Sequence, residues 1–123
     1  MKEKSIFSYN NKKFFQQDVT DSILNLGIKN GDIIFIHSDL SKFGKLSEIK
    51  TKLEFNTVFL NACLDAVGSN GTVVIPTFTY SFGDNFNANN IFDINNSPSV
   101  LNYFTEVARL SDGFIRSDDP MLS

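Results

Sequence analysis

Apolar residues along this chain fall in short, separated blocks whose spacing changes from one block to the next. Residues 1–12 are polar and without period, and the stretch 1–17 reads as a loose lead-in to a domain spanning 18–123. From Asp18 to Ile28, Val19, Ile23 and Leu26, with Leu24 beside them, recur at helical spacing; Gly27 and the Asn30-Gly31 pair supply the stop. Ile33 to Ile36 is a β-branched and aromatic run bounded by Gly31-Asp32 and His37-Ser38. Being apolar at every position, it predicts a strand buried on both faces, as parallel strands are. A polar loop over 38–52 follows, with Gly44 as its turn. Phe55 to Val67 is apolar and long enough for a helix, closed by Gly68 and Ser69-Asn70-Gly71. Thr72 to Ile75 repeats the strand signal, and Pro76 ends it because proline lacks the amide hydrogen a ladder needs.

The order helix, strand, helix, strand predicts a right-handed crossover and places the chain in the α/β class, as a layered fold with a partly parallel sheet. Residues 78–97 are aromatic and Asn-rich with little period. A connection of about 20 residues inside a compact domain is more often functional than merely connective. Ser97-Pro98 then reads as an N-cap followed by proline at the first helical position. With the apolar stripe of Val100, Leu101, Tyr103, Phe104, Val107 and Ala108, it predicts a helix over 98–110. That stripe, with Phe55 and Phe59 on the preceding helix, is more apolar surface than two short strands cover, so self-association is expected.

Composition narrows the function classes. The chain has 123 residues, 41% hydrophobic and 20% charged, which suits one folded domain rather than a disordered chain. A net charge of −3 lacks the basic excess that a nucleic-acid partner requires. No apolar run approaches the roughly 20 residues of a membrane span. Met1-Lys2-Glu3-Lys4-Ser5 leads into no signal-like stretch, so a cytoplasmic location is expected. The single cysteine, Cys63, sits in an apolar run and reads as packing. One histidine, one cysteine and scattered carboxylates give no metal-ligand cluster. No glycine-rich run precedes a Lys-Ser or Lys-Thr pair, which excludes a phosphate loop.

In open α/β sheets, ligands gather beyond the carboxyl ends of the strands. His37, Ser38, Asp39 and Ser41 follow the first strand; Thr77, Phe78 and Thr79 follow the second. If the strands are neighbours, these hydroxyl-rich loops line one edge. His37 is the sole histidine, and imidazole is the side chain suited to taking a proton near neutral pH. Its other reading is a strand-end residue that positions a ligand or bonds locally, so the catalytic base is unassigned. Arg116 has the fork to pair with a phosphate, or is held by solvent or a carboxylate. Asp84 and Asp93 in the long loop would attract a polycation, or are simply solvated.

Three stretches together resemble the aminoglycoside 3-N-acetyltransferase family: Gly31 to Leu40, Gly71 to Tyr80, and the tail from Arg116 to Ser123, in that order and at similar spacing. The resemblance covers residues from about 18 to 123. It implies acetyl transfer from acetyl-coenzyme A to an amine on an aminoglycoside or amino sugar, the former being the chemistry of antibiotic resistance. It also implies that His37, Ser38, Ser41, Thr77, Arg116 and Ser117 lie on the coenzyme side. Two positions depart from the family pattern. Asp39 stands in place of a second serine, and Asp119 in place of the histidine before Pro120. Family members are about twice as long and carry a His and Glu acid–base pair in their second half. The expectation is therefore an α/β fold incomplete at the C-terminus, a truncated enzyme whose 123 residues alone are inactive. The alternative is a non-catalytic fragment or a coenzyme-binding or interaction module that keeps the fold. A flavodoxin-like nucleotide-binding domain fits the element order but lacks a glycine-rich first turn.

Overall fold

The computed structural model describes residues 3–80 and 91–119, which belong to two compact units divided between Val74 and Ile75. The first unit opens with a β-hairpin, β1 (Phe7–Tyr9) and β2 (Lys12–Phe14), paired antiparallel with Phe7 opposite Phe14. Asn10 and Asn11 make the turn with φ of 47° and 63°, the left-handed pair that a two-residue hairpin demands and asparagine tolerates. Residues 7–14, within the expected loose lead-in, thus form a hairpin. Its signal was hidden because three-residue strands are too short to display an alternation.

Helix α1 (Gln16–Leu24) starts two residues before the expected Asp18, because Asp18 itself lies in the first turn and accepts the Phe15 N–H at 2.8 Å. It buries Val19 and Thr20; Leu24 and Leu26, counted above on the apolar face, are exposed. Helix α2 (Lys52–Val67) is capped by Thr51, whose hydroxyl accepts from the Glu54 N–H at 3.1 Å. Its buried side includes the small residues Ala62, Cys63 and Ala66, which let α1 approach closely. The Thr20 hydroxyl reaches the Ala62 carbonyl at 3.3 Å and the Gln16 amide reaches the Asp65 carboxylate at 2.7 Å. Burial pushes the Cys63 thiol up to about 12, so it serves as a packing group rather than a nucleophile.

Strands β3 (Ile33–Phe35) and β4 (Thr72–Val74) pair in parallel, Ile33 beside Thr72 and Phe35 beside Val74. A mixed α/β class with one parallel and one antiparallel sheet follows. Each strand of the parallel pair is fed by a glycine turn at a helix end. The Gly31 N–H donates to the Val67 carbonyl at 2.8 Å, and the Thr72 N–H to the Asp32 carbonyl at 3.0 Å. Gly71 sits where these turns meet: a Cβ there would collide with Val67 and with the Asp32 carbonyl. The expectation that the first strand is buried on both faces does not hold. Val73 is buried on the side of α2, but Ile33 and Phe35 are 75% and 66% exposed. Apolarity at every position described the residues correctly, but among the described residues α2 packs on the Val73 face and leaves Ile33 and Phe35 exposed.

In the second unit, α3 (Tyr103–Arg109) buries Phe104, Thr105, Val107 and Ala108. It begins five residues later than the expected 98. The cap is Asn102, whose side-chain oxygen accepts the Thr105 N–H at 3.1 Å. Ser97 is engaged instead in a turn, its hydroxyl accepting from the Asp93 N–H at 2.9 Å while its own N–H donates to the Asp93 carbonyl.

Candidate functional site

Strands β3 and β4 run in the same direction and end at one edge, where the Ile36 N–H still donates to the Val74 carbonyl at 2.8 Å. The chain then leaves β3 as an extended segment bearing His37 and Ser38 and enters a single 3₁₀ turn, Leu40–Lys42. His37 and Ser41 are exposed and Ser38 is half-buried. Among the described residues the His37 imidazole has no hydrogen-bond or ion-pair partner, so no carboxylate orients it as a base.

Asp39 caps the 3₁₀ turn. Its Oδ1 accepts the Ser41 N–H at 2.9 Å, and the backbone and side chain of Ser41 hold its carboxyl below the usual range. Serine and aspartate are both strong N-cap residues, so the exchange of one for the other keeps this local geometry. Leu40 anchors the turn in the core, and Phe43, the residue that ends it, stands 5.4 Å from Phe59 and 6.4 Å from Phe55 of α2.

In the second unit, Thr77 and Thr79 are buried, and the Phe78 carbonyl accepts the Val100 N–H at 3.0 Å. Arg116 is joined to Thr77: its Nη2 donates to the Thr77 carbonyl at 2.6 Å and its Nη1 to the Ser97 carbonyl. The guanidinium lies over the Phe92 ring, 5.0 Å from the centroid. Burial and the neighbouring Arg109 lower its pKa, with Glu106 opposing them. The carbonyl bonds of Arg116 make it a cross-link of its own unit, a use that neither sequence reading of this residue foresaw. Ser117, Asp118 and Asp119 beside it are exposed.

A second arginine reinforces this unit. Arg109 grips both carboxylate oxygens of Glu106, at 2.8 and 2.6 Å, and donates to the Asn95 carbonyl. Arg109 holds the Glu106 carboxyl below its usual pKa, and the carboxylate raises that of Arg109 in return. The i, i+3 spacing of Glu106 and Arg109 was the available sequence signal. Asp93, a candidate for attracting a polycation, is occupied by its own turn. It accepts from the Asn96 side chain and from the Asn95 and Asn96 N–H groups, which hold its carboxyl low. Asp84 lies outside the described residues, as does Pro120.

The first unit is thus a mixed α/β fold with a hydroxyl-bearing loop at the carboxyl edge of a parallel strand pair, and the second unit is clamped internally by two arginines. The chain belongs to the aminoglycoside 3-N-acetyltransferase family, whose model matches residues 35–123. Membership supports aminoglycoside N-acetyltransferase activity at the level of the class. No curated protein and no solved structure matches the chain. Among the described residues, no helix is long and apolar enough to cross a membrane, and no group of three His, Cys, Asp or Glu could hold a metal ion.

Proposed function

We propose that the chain serves an acetyl-coenzyme A-dependent N-acetyltransferase acting on an amino group of an aminoglycoside or amino sugar. The family match over residues 35–123 carries this reading. Acetyl-coenzyme A supplies a thioester: the amine nitrogen bonds its carbonyl carbon, the carbon–sulfur bond breaks, and the thiolate leaves while a base takes the ammonium proton. The donor set fits such a ligand. Ser38 and Ser41 offer hydroxyls beyond β3, suited to the amides and phosphates of the coenzyme, and His37 contributes a ring nitrogen. The family resemblance separately implies Thr77, Arg116 and Ser117 of the second unit as coenzyme-side residues, although the Arg116 fork is engaged by the Thr77 and Ser97 carbonyls. Hydroxyl or backbone donors would stabilise the oxyanion of the tetrahedral intermediate.

A second reading, a coenzyme-binding module without catalysis, is favoured by one observation. The sole histidine is exposed and, among the described residues, has no orienting partner. The two readings separate in one experiment. Calorimetric titration with coenzyme A is combined with a thiol-release assay over a panel of aminoglycosides. Binding with turnover supports the enzyme, and binding without turnover the module. Absence of binding would sink both. Turnover abolished by His37→Ala would assign the base to His37.

A further inference from the structure

The loop from Ile36 to Ile49 carries His37, Ser38 and Ser41, yet it is tied at its far end to Ser5, Ile6 and Phe7. Leu46 bridges to Phe7, the Ser47 N–H donates to the Ile6 carbonyl at 3.1 Å, and the Glu48 and Ile49 N–H groups both donate to the Ser5 carbonyl. Side chains repeat the tie. Glu48 Oε2 accepts the Ser5 N–H at 2.8 Å and its hydroxyl at 2.7 Å, and Oε1 accepts from Lys13 of β2 at 3.1 Å. Ser5 and Ile6 are fully buried by this contact. At mid-loop, Phe43 meets Phe7 at 6.1 Å edge to face, and Phe7 in turn stacks on Phe14 at 4.8 Å. Phe43 is therefore held between the hairpin and the Phe55 and Phe59 rings of α2.

A lone 3₁₀ turn has little stability of its own, since closing its first hydrogen bond fixes several torsions for the gain of one bond. The Leu40–Lys42 turn depends on its two ends: Asp39 caps the first, and Phe43 fixes the second through rings contributed partly by the hairpin. We propose that the N-terminal hairpin is a positioning device for the His37–Ser41 loop, acting through the Phe7–Phe43 contact. Removing the Phe7 ring frees one side of Phe43 and lets the 3₁₀ turn open. Ser38 and Ser41 then lose the fixed presentation that a ligand contact requires. Phe7 touches no ligand in this scheme; it acts through Phe43. That the loop is positioned for a coenzyme rests on the function proposed above, whereas the dependence of the loop on the hairpin does not.

The test uses the full 123-residue chain and two readouts. Amide hydrogen exchange is followed at residues 40–43 and, as an internal control, along α2, and coenzyme A affinity is measured by calorimetry. Phe7→Ala should speed exchange at 40–43 about tenfold, the scale of a lost aromatic pair, and leave α2 unchanged. Coenzyme A affinity should fall in parallel, and Phe7→Tyr, which keeps the ring, should restore both. If Phe7→Ala does not fold, Phe7→Leu carries the same comparison with a smaller loss. Unchanged exchange at 40–43, or an equal rise along α2, would overturn the proposal. So would a variant with a freed loop that binds coenzyme A as tightly as the parent chain. A parent chain that binds no coenzyme A would defeat the functional reading, while the exchange data would still decide the role of the hairpin.

Discussion

Glu48 shows how much one surface carboxylate organises here. It gathers the buried N–H and hydroxyl of Ser5 and the ammonium of Lys13, and these contacts, Ser5 first, pull its pKa down to about 2 from an ordinary 4.5. The sign of the pH dependence follows. A carboxyl with a depressed folded-state pKa contributes stability in full above its unfolded pKa, and that contribution is lost as pH falls through the folded value. Denaturant midpoints should therefore drop between about pH 4.5 and pH 2, and Glu48→Gln should flatten that part of the profile while lowering stability at neutral pH. A profile identical to the parent chain would remove Glu48 from the tie between Ser5 and the loop. Asp39 makes the complementary point. Its charge, read along the sequence as a departure from the family, is used locally on Ser41.

At the scale of elements, two positions decide where structure starts and how strands meet. Replacing Asn102 by alanine should cost about 1 kcal/mol through loss of the α3 cap, and Asn102→Asp should retain most of it. Urea unfolding of the two variants checks this, and equal stability of alanine and aspartate would move the helix start elsewhere. Gly71 is a packing glycine, because the space its Cβ would need belongs to Val67 and to the Asp32 carbonyl. Backbone on both sides cannot give way cheaply, so Gly71→Ala should cost about 1–3 kcal/mol, visible as a lowered melting midpoint. A melt unchanged by the substitution would mean that the two glycine turns are not in contact.

For the whole molecule, the open side of the parallel pair is the main liability. Ile33 and Phe35 project from β3 beside Thr72 and Val74 of β4, all on the face away from α2, and all are exposed. Parallel strands are ordinarily covered on both faces, and an uncovered apolar face drives association. Sedimentation should show the average mass of the chain rising with concentration, and Phe35→Ser should reduce that rise. A monomer at every concentration would show that this face is not adhesive.

The chain by itself determined the α/β class, the two strands at 33 and 72, the long helix before Gly68, and the family through three short stretches. Each depends on neighbours in sequence: apolar runs of characteristic length, glycine stops, a proline at a strand end. The hairpin over 7–14 was not legible for the converse reason. Ser5 and Phe7 gain meaning from Ser47, Glu48 and Phe43, more than 35 positions away, and no local period records such pairing. The start of α3 shows the same limit, since Ser97 and Asn102 are both competent caps, and the Asp93 turn had already engaged Ser97. Arg116 was legible as a charged fork, but its partners are the carbonyls of Thr77 and Ser97. Backbone carbonyls are present at every position of every sequence, so only the tertiary structure decides which of them an arginine will meet.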